Sequence, residues 1–178
     1  MTQFKNSRIG ILGGSFDPAH KGHLLISKIA LNKIELKKIY WIVTKKNPFK
    51  KKTFFSLKER IKQAKKIAKK NKSIEVIYLD DIISSSRSIK IIQYILRKKK
   101  PKDLYFIVGS DILFKFHKWH SWKKIVKLVK LVVFSRKGYD RNTNKTIVVK
   151  YLKKNNIIFI KNKSIRVSSS LIRKKMKI

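Results

Sequence analysis

The sequence has no cysteine. Disulfides, thiolate catalysis and cysteine zinc sites are therefore all excluded. Acidic residues are scarce, 9 Asp and Glu against 47 Lys and Arg, for a formal net charge of +38. With 3 prolines and 6 glycines there is no Pro/Gly/Ser-rich stretch to divide the chain, and no internal repeat. No apolar run is long enough to cross a membrane or patterned as an export signal. These absences predict a cytoplasmic protein with one domain spanning residues 1–178.

What is present argues for a folded globule. Hydrophobic residues make up 43% of the chain, with 3 Trp, 6 Tyr and 10 Phe, enough to bury a core at this length. Read alone, the charge would predict a nucleic-acid binder. The basic residues are overwhelmingly lysine, however, and are spread along the whole chain. Arginine, favoured for bidentate base contacts, is scarce. Lysine, isoleucine and asparagine all have A/T-rich codons, so the charge is expected from a biased genome without selection for a polyanion. No dedicated nucleic-acid partner and no membrane partner are expected. A positive field would in any case draw in anionic nucleotides.

The chain is organised around Gly13-Gly14-Ser15-Phe16-Asp17-Pro18-Ala19-His20-Lys21-Gly22-His23. An apolar segment, residues 8–12, precedes it and reads as a buried strand. Leu24, Leu25, Ile26, Ile29, Ala30 and Leu31 follow at helical spacing. A strand-to-helix turn of this kind is where α/β proteins bind phosphate. Paired glycines allow torsions that a Cβ forbids, and the first helical turn offers unpaired N–H groups and a positive dipole end. His20 and His23, three apart, fall on one face and can donate to phosphoryl oxygens. Asp17-Pro18 is alternatively plain turn chemistry, with Asp17 holding the loop.

This stretch closely resembles the nucleotide-binding motif of the nucleotidyltransferases that make dinucleotide cofactors, and most of all the bacterial nicotinate-nucleotide adenylyltransferases. A second hallmark lies at Arg166-Val167-Ser168-Ser169-Ser170-Leu171-Ile172-Arg173, similar to Ile-Ser-Ser-Thr-x-Ile-Arg. A third lies at Phe116-His117-Lys118-Trp119, similar to Phe-x-x-Trp after a Gly-x-Asp, here Gly109-Ser110-Asp111. The resemblance implies transfer of AMP from ATP to nicotinate mononucleotide, giving deamido-NAD and pyrophosphate. It implies catalysis by His20, His23 and Arg173. ATP would be bound by Gly13, Gly14, Ser15, Phe16, His20, Gly22, His23, Lys50, Gly109, Asp111, Ser168, Ser169, Ser170 and Arg173. The mononucleotide would meet Asp17, Ser86, Ser88, Trp119, His120 and Arg136, with Trp119 stacked on the pyridine ring. Mg²⁺ would bridge phosphate oxygens rather than occupy a protein cage. Phosphopantetheine or nicotinamide mononucleotide as acceptor is the alternative, a basic nucleic-acid-binding protein is the rival from a different class, and a homo-oligomer is left open. His117 reads as a surface residue and Trp122 as a core anchor.

The remaining signals fill in an α/β order. Residues 38–43, 73–79, 104–108, 131–134 and 157–160 read as further strands. Ser56-Leu57-Lys58-Glu59 is a capping box opening a helix with Leu57, Ile61, Ala64 and Ile67-Ala68 on its apolar face. Residues 146–154 read as a helix, and the serine run opens another. Strands alternating with helices predict a Rossmann-like, doubly wound parallel sheet with flanking helices, its ligand crevice at the carboxyl ends of the strands.

Overall fold

The computed structural model describes residues 7–45, 52–136, 138–153, 155–161 and 168–176. Its contacts divide the chain into two compact units: Ile9–Ser86 with Ile165–Ile178, and Met1–Arg8 with Arg87–Ser164.

The first unit carries β1 (Arg8–Gly14), α1 (Lys21–Lys33), β2 (Lys38–Val43), α2 (Leu57–Ala68) and β3 (Ile74–Ile77), and takes back the C-terminal α7 (Ser169–Met176). Its strands run parallel in the order β3-β2-β1, with Ile11 opposite Tyr40 and Trp41 opposite Val76. β2 is apolar almost throughout because both its faces are covered; Ile39, Trp41, Ile42 and Val43 are fully buried, the pattern of a parallel strand. The indole N–H of Trp41 is satisfied by Ser27 Oγ on α1 at 2.8 Å. The capping box opens α2 as expected, with Ser56 Oγ accepting from Glu59 N and Glu59 Oε2 accepting from Ser56 N.

The second unit carries α3 (Ser88–Lys99), β4 (Asp103–Gly109), α4 (Ser110–Phe116), α5 (Trp122–Leu128), β5 (Lys130–Phe134), a 3-10 turn (Asp140–Lys145), α6 (Ile147–Leu152) and β6 (Ile157–Ile160). Its strands are parallel in the order β4-β5-β6, with Ile107 opposite Val132 and Val133 opposite Phe159. Phe106, Leu113, Phe116, Ile125 and Leu131 form its core. Three parallel strands with helical crossovers are one mononucleotide-binding half of the doubly wound architecture, and the chain has two. Trp122 departs from its expected place: it is half-buried, edge-on to Tyr151 at 5.1 Å with Lys123 Nζ above its ring at 5.9 Å.

Candidate active site

β1 ends at Gly14 and α1 begins at Lys21, so the candidate loop is Ser15 to His20. The left-handed residue in it is Phe16, at φ 46°, and neither Gly13 nor Gly14 has positive φ. The torsional freedom expected of the glycine pair is therefore not what turns the chain. Packing holds Phe16 instead, its ring stacked on Trp41 at 5.2 Å and beside His23 at 4.8 Å.

The two histidines form a reciprocal cap. His20 Nδ1 accepts the N–H of Gly22 at 3.1 Å, and His23 Nδ1 accepts the N–H of His20 at 3.2 Å. Their rings lie 3.9 Å apart between centroids. An Nδ1 that accepts must be unprotonated, so each ring carries its proton on Nε2 and is a donor there. The same bonds correct an expectation about the helix end. Gly22 N–H is taken by His20 Nδ1 and His23 N–H by the His20 carbonyl, so the first turn offers fewer open amides and the donor role passes to the imidazoles.

Asp17 is 1% exposed, and both its carboxylate oxygens are engaged. Oδ2 accepts from Phe54 N and Oδ1 from Phe55 N, each at 2.9 Å. That arrangement corresponds to the loop-holding alternative. The serine run of the second hallmark meets this loop from the far end of the chain. Ser168 Oγ accepts the N–H of Leu171, Ser169 Oγ donates to Pro18 O at 2.9 Å, and Ser170 Oγ accepts from Arg173 Nη2. Arg173 Nη1 donates to the Asp17 carbonyl and lies 3.6 Å from Asp17 Oδ2. Residues 151 and 156 positions apart in sequence thus meet at one loop. Lys50, Arg166 and Val167 lie outside the described residues.

A pocket of about 420 Å³ in the same unit is lined by Lys45, Asp80, Asp81, Ser84, Ser85 and Ser86. Burial pushes the Asp80 carboxyl above its ordinary range, against the opposing hydrogen bond from Lys45 N at 2.7 Å. Ser88, paired with Ser86 in the sequence reading, opens α3 in the second unit.

In the second unit the end of β4 builds a compact cluster. Asp111 Oδ1 lies 3.4 Å from Arg136 Nε and, among the described residues, accepts no hydrogen bond. Gly109 permits this, since a Cβ there would sit 2.4 Å from that oxygen. Ser110 Oγ donates to Asp140 Oδ1 at 2.8 Å, and Arg136 N donates to both. Neither Ser110 nor Asp140 was singled out in the sequence, although Asp140 stands four residues after Arg136. Trp119 is half-buried with one face stacked on Phe116 at 4.8 Å, and its main-chain N–H is taken by the Phe116 carbonyl. The Trp119 amide is therefore already used and is not open to a ligand carboxylate. His120 is exposed in the turn after α4.

The cytidylyltransferase-like family matches residues 11–175. The chain belongs to that family. It is 48% identical over 170 residues, 96% of this chain and 94% of the relative, to the "Probable nicotinate-nucleotide adenylyltransferase" of Pelagibacter ubique. A protein of the same name from Clostridium tetani is 35% identical across 94% of this chain and 86% of its own length. Among solved structures, the Plasmodium falciparum nicotinic acid mononucleotide adenylyltransferase complexed with NaAD superposes with a TM-score of 0.77, at 20% identity. That superposition covers 95% of this chain and 83% of the other, and at such identity it shows the Rossmann-like α/β fold. Among the described residues no helix is long and apolar enough to cross a membrane.

Proposed function

We propose that this cytidylyltransferase-like chain transfers AMP from ATP to nicotinate mononucleotide, giving deamido-NAD and pyrophosphate. The observation that carries the reading is the convergence of both hallmarks on Asp17 and Pro18, through Arg173 and Ser169. The full-length relatives named for this reaction support the choice of substrate. On this proposal residues 1–178 act as one nucleotidyltransferase domain in the cytoplasm.

A phosphate oxygen of the mononucleotide attacks the α-phosphorus of ATP. The bond from that phosphorus to the α–β bridging oxygen breaks, and pyrophosphate leaves with the electron pair. The nucleophile is already anionic, so positioning and charge neutralisation dominate over general-base catalysis. His23 Nε2–H is assigned to the α-phosphate and His20 Nε2–H to the adjoining triphosphate oxygens. Arg173, with Lys50, neutralises charge toward the leaving pyrophosphate. Ser168, Ser169 and Ser170 act by setting the α7 end rather than by a separate grip. In the second unit, Trp119 is assigned to the pyridine ring, the His120 amide to the nicotinate carboxylate and Arg136 to the mononucleotide phosphate.

Mg²⁺ would enter on the triphosphate. Among the described residues no three His, Asp or Glu side chains cluster to cage a metal, and Asp111 Oδ1, buried without a hydrogen-bond donor, suits one ligand to an ion otherwise held by phosphates and water. The same oxygen suits a ribose hydroxyl. When bound, the ion supplies charge neutralisation at the phosphate oxygens.

Pyrophosphate release from ATP and Mg²⁺ tests the reading, with nicotinate mononucleotide, nicotinamide mononucleotide and phosphopantetheine offered separately. Turnover with the first alone is expected, and chelation of the metal should abolish it. Turnover with phosphopantetheine alone would refute the choice of acceptor.

A further inference from the structure

Arg60 lies in the first turn of α2 and is 1% exposed, while its neighbours Lys58, Lys62, Lys65 and Lys66 face solvent. Its guanidinium reaches three separate segments. Nη1 donates to the carbonyls of Ser15 at 2.6 Å and Thr44 at 2.8 Å, Nε donates to Phe55 O at 3.2 Å, and Nη2 contacts Lys45 O at 3.4 Å. Asp17 supplies the complement by accepting the N–H groups of Phe54 and Phe55. Phe55 is thus held through both its N–H and its C=O.

Burial of a guanidinium among neutral carbonyls is unfavourable; it lowers the pKa of Arg60, an effect that Asp17 and Asp80 oppose from a distance. Packing alone would be served better by an apolar side chain. What the cation does is turn carbonyls toward itself. In a trans peptide the C=O and N–H point in opposite directions, so a Ser15 carbonyl aimed at Arg60 sends the Phe16 N–H away from it. The Thr44–Lys45 peptide shows the same logic: its C=O meets Arg60 and its N–H meets Asp80. Carbonyls left facing a triphosphate would repel it, whereas outward N–H groups attract it.

We propose that Arg60 is a positioning residue for adenylyl transfer, holding the Ser15–His20 loop so that the Phe16 N–H and the His20–His23 pair meet the triphosphate. The inference rests on the reaction proposed above. Lysine keeps the charge but cannot fork to four carbonyls, so Arg60→Lys tests it, with Arg60→Gln as a second variant that buries no charge. Pyrophosphate release is measured per folded enzyme, with folding checked by near-ultraviolet circular dichroism and wild type as control. Displacing such a loop by about 1 Å should lower kcat roughly 100-fold while KM for nicotinate mononucleotide stays near the wild-type value. An unchanged kcat per folded molecule, whatever happens to the melting temperature, would overturn the proposal. So would failure of both variants to fold, which would make Arg60 a stability residue. Wild type failing to turn over would refute the reaction itself, a separate result.

Discussion

Replacing Gly109 by alanine adds one methyl group at the end of β4, and its effects can be worked from distances. The backbone there has φ −84° and ψ 156°, a conformation alanine adopts without strain. The new Cβ would lie 2.4 Å from Asp111 Oδ1 and 3.2 Å from Arg136 Nε. Both atoms belong to side chains that can rotate away, and Asp111 must retreat by about 1 Å to regain van der Waals separation. What the fold loses is the 3.4 Å pair with Arg136, whose side chain is half exposed. Such a pair contributes at most about 1 kcal/mol, a melting shift of roughly 2–4 °C or less at this chain length. What the site loses is larger, if Asp111 holds a ribose hydroxyl or Mg²⁺. A hydrogen bond to a charged group contributes about 1.5–3 kcal/mol, which becomes a roughly 10- to 150-fold fall in kcat/KM. The assay is pyrophosphate release with a parallel thermal melt, run on Gly109→Ala, Asp111→Ala and the double variant. Because both single changes act on the same carboxylate, the double variant should be no worse than Asp111→Ala. Gly109→Ala activity within twofold of wild type, or losses that add in the double variant, would refute the reasoning.

Four further outcomes are expected. His23→Ala should reduce kcat by about 10²–10³, the loss typical of removing one preorganised donor, and a mild loss would refute its place at the α-phosphate. His20→Asn keeps a cap for α1 whereas His20→Ala removes it at about 1 kcal/mol; the melting temperatures should separate the two while both lose turnover, and an active Asn variant would reduce His20 to a cap. Asp80 offers a pH test. Its folded pKa is raised above the ordinary 3.8, so the unfolded chain ionises more readily and stability falls as pH rises above that value. Asp80→Asn keeps an oxygen for Lys45 N and should melt above wild type at neutral pH, with the gap closing as pH falls to about 4; a gap independent of pH would refute the burial argument. With a net charge of +38, kcat/KM for ATP should also fall with salt as the screening length shrinks from about 30 Å at 0.01 M to about 8 Å at 0.15 M, and a flat profile would show that the charge plays no part in substrate capture.

Local signals were read correctly where neighbours in sequence decide the outcome. β2 and β6 fall on residues 38–43 and 157–160 as the apolar runs indicated, and the Ser56–Glu59 cap depends only on a spacing of three. The histidine pair was visible for the same reason, although its caps on α1 were not, since they depend on ring orientation. Ser168, Ser169 and Ser170 were recognised as a helix start, but their partners at Pro18 and Arg173 were not.

The sequence by itself determined the α/β order, the two hallmark motifs and the absence of thiol chemistry, because composition, periodicity and short spacings carry that information. Only the tertiary structure decided which charges are buried. Arg60 looks in sequence like one more cation on a basic helix, and Asp17 like a turn residue. Their roles come from Ser15, Thr44, Phe54 and Phe55, groups far along the chain. Main-chain carbonyls and amides are present at every residue, so sequence cannot say which of them a buried side chain will find; that is settled when β1, β2 and α2 pack.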